Sequence, residues 1–62
     1  MKIEIADLNG CYTFNTDYIS SVDYWNDNEV CVYTNGLSSP FQLKYEDEEK
    51  AKIIYNYIKD SM

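Results

Sequence analysis

Residues 18–34 read Tyr18-Ile19-Ser20-Ser21-Val22-Asp23-Tyr24-Trp25-Asn26-Asp27-Asn28-Glu29-Val30-Cys31-Val32-Tyr33-Thr34. Two β-prone runs flank a polar triplet, which is the pattern of a hairpin. In Tyr18–Trp25 the strand period of two puts Tyr18, Ser20, Val22 and Tyr24 on one face. Ile19, Ser21, Asp23 and Trp25 fall on the other. Ile19 interrupts an otherwise sensible alternation, and the turn before the strand is the other place for it. Asn26-Asp27-Asn28 supplies residues that tolerate left-handed backbone angles. In the returning strand, Glu29–Thr34, Val30 and Val32 face the core and Cys31 and Tyr33 face away from it.

Upstream, Lys2–Ala6 alternates with Ile3 and Ile5 on one face, as a half-buried strand does. Asp7–Gly10 is a turn, with Asn9-Gly10 its strongest pair. Cys11–Phe14 is short and β-prone and is expected to pair back on the first strand. Asn15-Thr16-Asp17 ends it. Downstream, Asn35-Gly36 signals a second hairpin, followed by a longer loop through Ser38-Ser39-Pro40. Phe41–Leu43 is a short last strand, with Pro40 at its start, where a missing N–H is tolerated.

The C-terminal segment has the helical period. Ala51, Ile54, Tyr55 and Ile58 are spaced i, i+3, i+4 and i+7. Asp47 is the expected N-cap, and Glu48 and Glu49 complement the positive helix end. Lys59 complements the other end, and Glu48 with Lys52 forms an i, i+4 pair worth about 0.3 kcal/mol. The helix is expected over about Glu48–Asp60. The fold class is therefore α+β, as one domain over residues 1–62. It is an antiparallel sheet of three to five short strands with one C-terminal helix packed across one face. The expected core is Ile3, Ile5, Phe14, Val22, Val30, Val32, Phe41, Leu43, Ala51, Ile54, Tyr55 and Ile58.

Composition excludes several functions. The chain has 62 residues, five Lys, no Arg, no His and eleven Asp and Glu, for a net charge of −6. Direct nucleic-acid binding is not expected, because phosphate neutralisation needs clustered Lys and Arg. Without His, the commonest general base and metal ligand are missing. Neither Cys11 nor Cys31 has a basic neighbour in sequence to depress its pKa. They read as reduced, semi-buried, small apolar residues. Glu46–Glu49 is best read as a helix start, and the two glycines form no phosphate loop. Asp7, Asn9 and Tyr12 superficially suggest a calcium loop, but the twelfth position, where an EF-hand needs a bidentate Glu, is Tyr18. No enzyme, metal or cofactor is expected. The first strand is too short and too charged for a signal peptide or a membrane span, so a cytoplasmic, non-membrane protein is expected. A domain this small has a thin margin of stability, which favours self-association, and a homodimer is expected.

The outward strand face carries the binding hypothesis. Trp25 and Tyr33, with Tyr24, are the expected apolar anchors, since Tyr and Trp dominate interface hot spots. Asp23, Asp27 and Glu29 supply charge beside them. Such a surface repels nucleic acid and attracts basic protein grooves, and can stand in for phosphates.

Phe14-Asn15-Thr16-Asp17-Tyr18-Ile19, with Val22 following, resembles the small flagellar FlbD-like proteins. Those have an Asn-Pro-Asp turn, a hairpin, an Asn-Gly or Asp-Gly turn, a strand and a short helix with an acidic start. Val30, Val32, Asn35-Gly36, Phe41 and the helix from Asp47 follow in that order. Thr16 stands at the Pro position, and the loop after Gly36 is longer. The resemblance implies the fold over about residues 14–60, with a housekeeping adaptor as one functional alternative.

The chain also resembles, in type, the small acidic anti-defence proteins of bacteriophages, including anti-CRISPR proteins. It is one acidic domain, rich in Asn, Ile, Tyr and Lys and lacking Arg. That resemblance implies stoichiometric inhibition of a host nucleic-acid-handling protein in the host cytoplasm. A third reading is a homodimeric sponge that stacks a nucleotide between Tyr rings. Acidity argues against it, because a phosphate needs cations.

Overall fold

The computed structural model describes residues 1–36 and 38–62; position 37, within the expected loop after Gly36, lies outside the described residues. The order of elements is β1 (Lys2–Asp7), β2 (Gly10–Asn15), a 3₁₀ turn (Thr16–Tyr18), β3 (Ile19–Trp25), β4 (Glu29–Thr34), β5 (Phe41–Lys44) and α1 (Glu48–Ser61). The fold is α+β, as the alternation and the terminal helical period predict. The strands divide into two antiparallel sheets, a β1-β2 hairpin and a β3-β4-β5 meander.

The hairpin follows from the pairing of its apolar residues. Ile3 lies opposite Phe14 and Ile5 opposite Tyr12, so one face carries all four. Asp7 pairs with Gly10, which puts Leu8-Asn9, and not Asn9-Gly10, at the tip. The Asp7 Oδ1 accepts the Asn9 N–H at 2.8 Å and the Gly10 N–H at 3.1 Å. Gly10 has φ +153°, a conformation L side chains rarely adopt. After β2, the Asn15 Oδ1 accepts the Asp17 N–H at 3.0 Å and caps the 3₁₀ turn. Tyr18 belongs to that turn, so β3 begins one residue later than the alternation suggests.

A bulge explains the awkward Ile19. Ile19 faces Thr34 and Ser21 faces Tyr33, so Ser20 is the extra residue. Its hydroxyl donates to the Tyr33 carbonyl at 3.1 Å. Inserting one residue reverses the sidedness on one side of a bulge. Ile19 and Val22 therefore both point inward, and both are buried. Beyond Val22 the pairing is regular. Val22, Val32 and Phe41 form one inward row, and Tyr24, Val30 and Leu43 the next.

Two elements share the cover of that inner face. The helix packs on β3 and β4, with Ala51 and Ile58 fully buried and Ile54 and Tyr55 half-buried. The rings of Tyr24 and Tyr55 meet edge to face, 6.2 Å between centroids. The hairpin covers the β5 side through Phe41, which meets Tyr12 at 4.7 Å and Phe14 at 5.4 Å, both edge to face. Phe41 is half-buried, a rim residue of the core.

The helix starts at an Asp47 cap, whose side chain accepts the Lys50 N–H at 2.9 Å. Glu48 and Lys52 form the expected ion pair at 2.7 Å, and Glu46 and Lys50 a second at 3.8 Å. Among the described residues no helix is long and apolar enough to cross a membrane.

Two core members escape the periodicity, Ile19 and Tyr45. Tyr45 follows β5 and is 6% exposed, with no hydrogen-bond partner for its hydroxyl among the described residues. Burial, and then the Asp7 carboxylate, push its pKa up to about 12.

Candidate protein-binding face

The helix and the hairpin both pack on the inner side of the meander, which leaves its outer side open. Pairing across the three strands sets that side residue by residue. One row is Trp25, Glu29 and Lys44; the next is Asp23, Cys31 and Gln42; the third is Ser21 and Tyr33. Trp25 stands at the end of β3, 56% exposed. Asp23 is exposed beside it, and Glu29 and Tyr33 are half-buried.

The turn that carries Trp25 is locally constrained. Asn26 has φ +51° and Asp27 φ +61°. Two successive positive φ values match the right-handed twist of a hairpin, and Asn and Asp tolerate them best after Gly. The Asn28 N–H donates to the Asn26 carbonyl at 2.6 Å, and the Tyr45 N–H to the Asn28 carbonyl at 2.9 Å. The loop thereby holds exposed Asp27 next to the Trp25 row.

Of the six expected contact residues, Trp25, Asp27 and Glu29 lie at the turn end of the outer side with Asp23 in the next row, while Tyr33 shares that side but lies toward the far end of β4, opposite Ser21. Tyr24 does not join them. It points to the inner side, packs on Tyr55 and donates its hydroxyl hydrogen bond to the Asp27 carbonyl. Burial first, then Glu48, raise its pKa. It braces the turn from the inner side, where its alternation with Trp25 puts it, and not in the contact surface expected of it.

Cys31 also departs from expectation. It faces outward but is only 5% exposed, enclosed between the flanking strands at the centre of the face. Burial, then Glu29 and Asp23, raise its thiol pKa. Cys11 by contrast is exposed, and both thiols are free. Neither is the semi-buried residue that composition suggests.

Lys44 is the residue that reading the turn alone overlooks. The β4-β5 register places it beside Glu29, so the face has one cation among its three carboxylates. Only the pairing of a distant strand reveals this.

No family model, curated protein or solved structure matches the chain. A flat face with a projecting Trp, a half-buried Tyr and flanking carboxylates can dock on a cationic surface. Among the described residues no group of three carboxylates or thiols is placed to hold a metal ion.

Proposed function

We propose that this chain is a non-enzymatic acidic binding protein, phage-encoded, that blocks the basic groove of a host nucleic-acid-handling defence protein. The observation that carries the reading is the exposure of Trp25 on an open sheet face, beside Asp23, Asp27 and Glu29. A large aromatic left 56% exposed is a natural hot spot. Carboxylates around it favour a cationic partner and accelerate encounter at low salt. The net charge of −6 repels phosphates from the complex and steers the protein toward basic grooves. Such a protein acts in the host cytoplasm by occupancy, one molecule per target, with no cofactor.

Affinity capture from host lysate at low and high salt, with identification of the retained protein, tests the reading. Asp27→Lys with Glu29→Lys should weaken retention of that partner about tenfold and flatten its salt dependence. Glu4→Lys with Asp17→Lys makes the same change in net charge, on the hairpin and the 3₁₀ turn that follows it, and should retain it. Lys44→Glu should act in the opposite direction and tighten binding. Equal losses from both double variants would overturn the assignment of the face.

A further inference from the structure

The exposed side of α1 carries a second, separate surface. Ile53 is 60% and Tyr57 47% exposed, and they lie one turn apart on the side facing away from the sheet. Lys50 and Asp60 extend the same line. The four are spaced three, four and three residues, the spacing of a coiled-coil seam. Each is solvent-exposed.

That line is complementary to itself. When two such helices pack antiparallel about a twofold axis, Ile53 of one copy meets Tyr57 of the other, and Lys50 meets Asp60. Twofold symmetry repeats both contacts, so one helix face gives two apolar contacts and two ion pairs. The acidic sheet face has no such property: a second copy would set Asp23 and Glu29 against their own charge. The two exposed apolar surfaces therefore differ in the partner they accept.

We infer that the Lys50-Ile53-Tyr57-Asp60 face of α1 is a homodimer interface, with the occupant a second copy of this chain in antiparallel register. The Lys50 ammonium is available for it. Its present partner, Glu46, is 3.8 Å away in an exposed pair, of the kind worth little in solution. The inner core is undisturbed, because the buried helix residues, Ala51 and Ile58, are not part of that line. In the dimer the two Trp25 faces point away from each other, on the far side of each sheet. Each remains free for a target, so the dimer is bivalent.

A charge swap tests the register. Sedimentation equilibrium over a wide concentration range should show a monomer–dimer equilibrium for the full chain. Lys50→Asp should weaken it about tenfold or more, by placing two carboxylates together twice. Asp60→Lys should do the same, with two ammonium groups. Combining the two recreates each pair with reversed sign and should restore dimerisation to within about threefold. Both substitutions suit the helix dipole at their ends, and circular dichroism checks that each variant is folded. A chain that stays monomeric throughout would overturn the inference, as would a double variant no better than the singles. Either result would leave the sheet-face reading standing, since its capture assay uses other residues.

Discussion

Asp7 and Lys44 lock the two sheets together by a reciprocal contact. The Asp7 Oδ2 accepts the Lys44 N–H at 3.0 Å, and the Lys44 carbonyl accepts the N–H of the next residue along, Leu8, also at 3.0 Å. Asp7 Oδ1 meanwhile closes the hairpin turn through Asn9 and Gly10. One side chain thus ends β1, shapes the tip and fastens that tip to the end of β5.

Asp7→Ala should cost about 1–3 kcal/mol, since three backbone N–H groups lose their acceptor and water replaces only part of it. In a domain of this size that is a fall in Tm of roughly 4–8 °C per kcal/mol. Asp7→Asn should fall between the two proteins. Its amide oxygen can still serve the turn, but its NH₂ would face the Lys44 N–H, donor against donor. Thermal melts by circular dichroism measure both. A silent Asp7→Ala would show that the side chain adds nothing to the Leu8–Lys44 backbone bond and the apolar packing that also join the two sheets.

Tyr45→Phe should be as stable as the parent at neutral pH, or about 1 kcal/mol more stable, because the buried hydroxyl has no partner among the described residues to lose. The larger effect is in alkali. The folded Tyr45 pKa of about 12 lies above its ordinary value of 10.0. Below pH 10 both states hold the proton, and its stabilising effect is complete. As pH rises from 10 toward 12 the unfolded chain releases the proton and the folded chain keeps it, so stability falls. Two pH units of difference amount to about 2–3 kcal/mol. Urea titrations from pH 9 to 11.5 should show the parent losing stability more steeply than Tyr45→Phe. Parallel curves would mean that Tyr45 ionises as freely in the fold as outside it.

Local chemistry made most of this fold legible. The helix was written in the spacing of Ala51, Ile54, Tyr55 and Ile58 and in the Asp47 cap, each a matter of nearest neighbours along the chain. The hairpin of β3 and β4 was written in Val22, Val30 and Val32 and in a polar triplet that accepts positive φ. What escaped was set by partners remote in sequence. Ile19 lies on the wrong side of a simple alternation until the Ser20 bulge restores it. Tyr45 is buried because its segment lies beneath the Asp7 end of the hairpin. Cys31 faces outward and is still enclosed, since burial at the centre of a sheet depends on both neighbouring strands. Lys44 joins the candidate face only through the register of β5. Tyr24 was the one expected contact residue on the inner side, although the period of two had already set it opposite Trp25.

The two thiols should react at very different rates. Cys11 is exposed on β2, whereas Cys31 is enclosed, with a pKa raised by burial and by Glu29 and Asp23. Thiolate is the reactive form, and access limits it further. At pH 8 a disulfide reagent should label one thiol per chain quickly and the other about a hundredfold more slowly, at the rate of local opening. Cys11→Ser should abolish the fast phase and keep the slow one. Urea should merge the two. A fast phase surviving in Cys11→Ser would place the Cys31 thiol in solvent and open the centre of the sheet face.

The bulge at Ser20 makes a deletion milder than a substitution. Removing Ser20 leaves Ile19-Ser21-Val22, a regular alternation in which Ile19 still points inward and still opposes Thr34. The cost is one hydroxyl bond to the Tyr33 carbonyl and some tension on the Asn35 N–H to Tyr18 carbonyl bond of 2.8 Å. Together these amount to about 1–2 kcal/mol. Ile19→Ala keeps the bulge but empties part of the core, at about 2–4 kcal/mol. Chemical denaturation should therefore rank the Ser20 deletion above Ile19→Ala in stability. The reverse order would mean that the extra residue is needed to aim β3, and that the position of Trp25 at its far end depends on it.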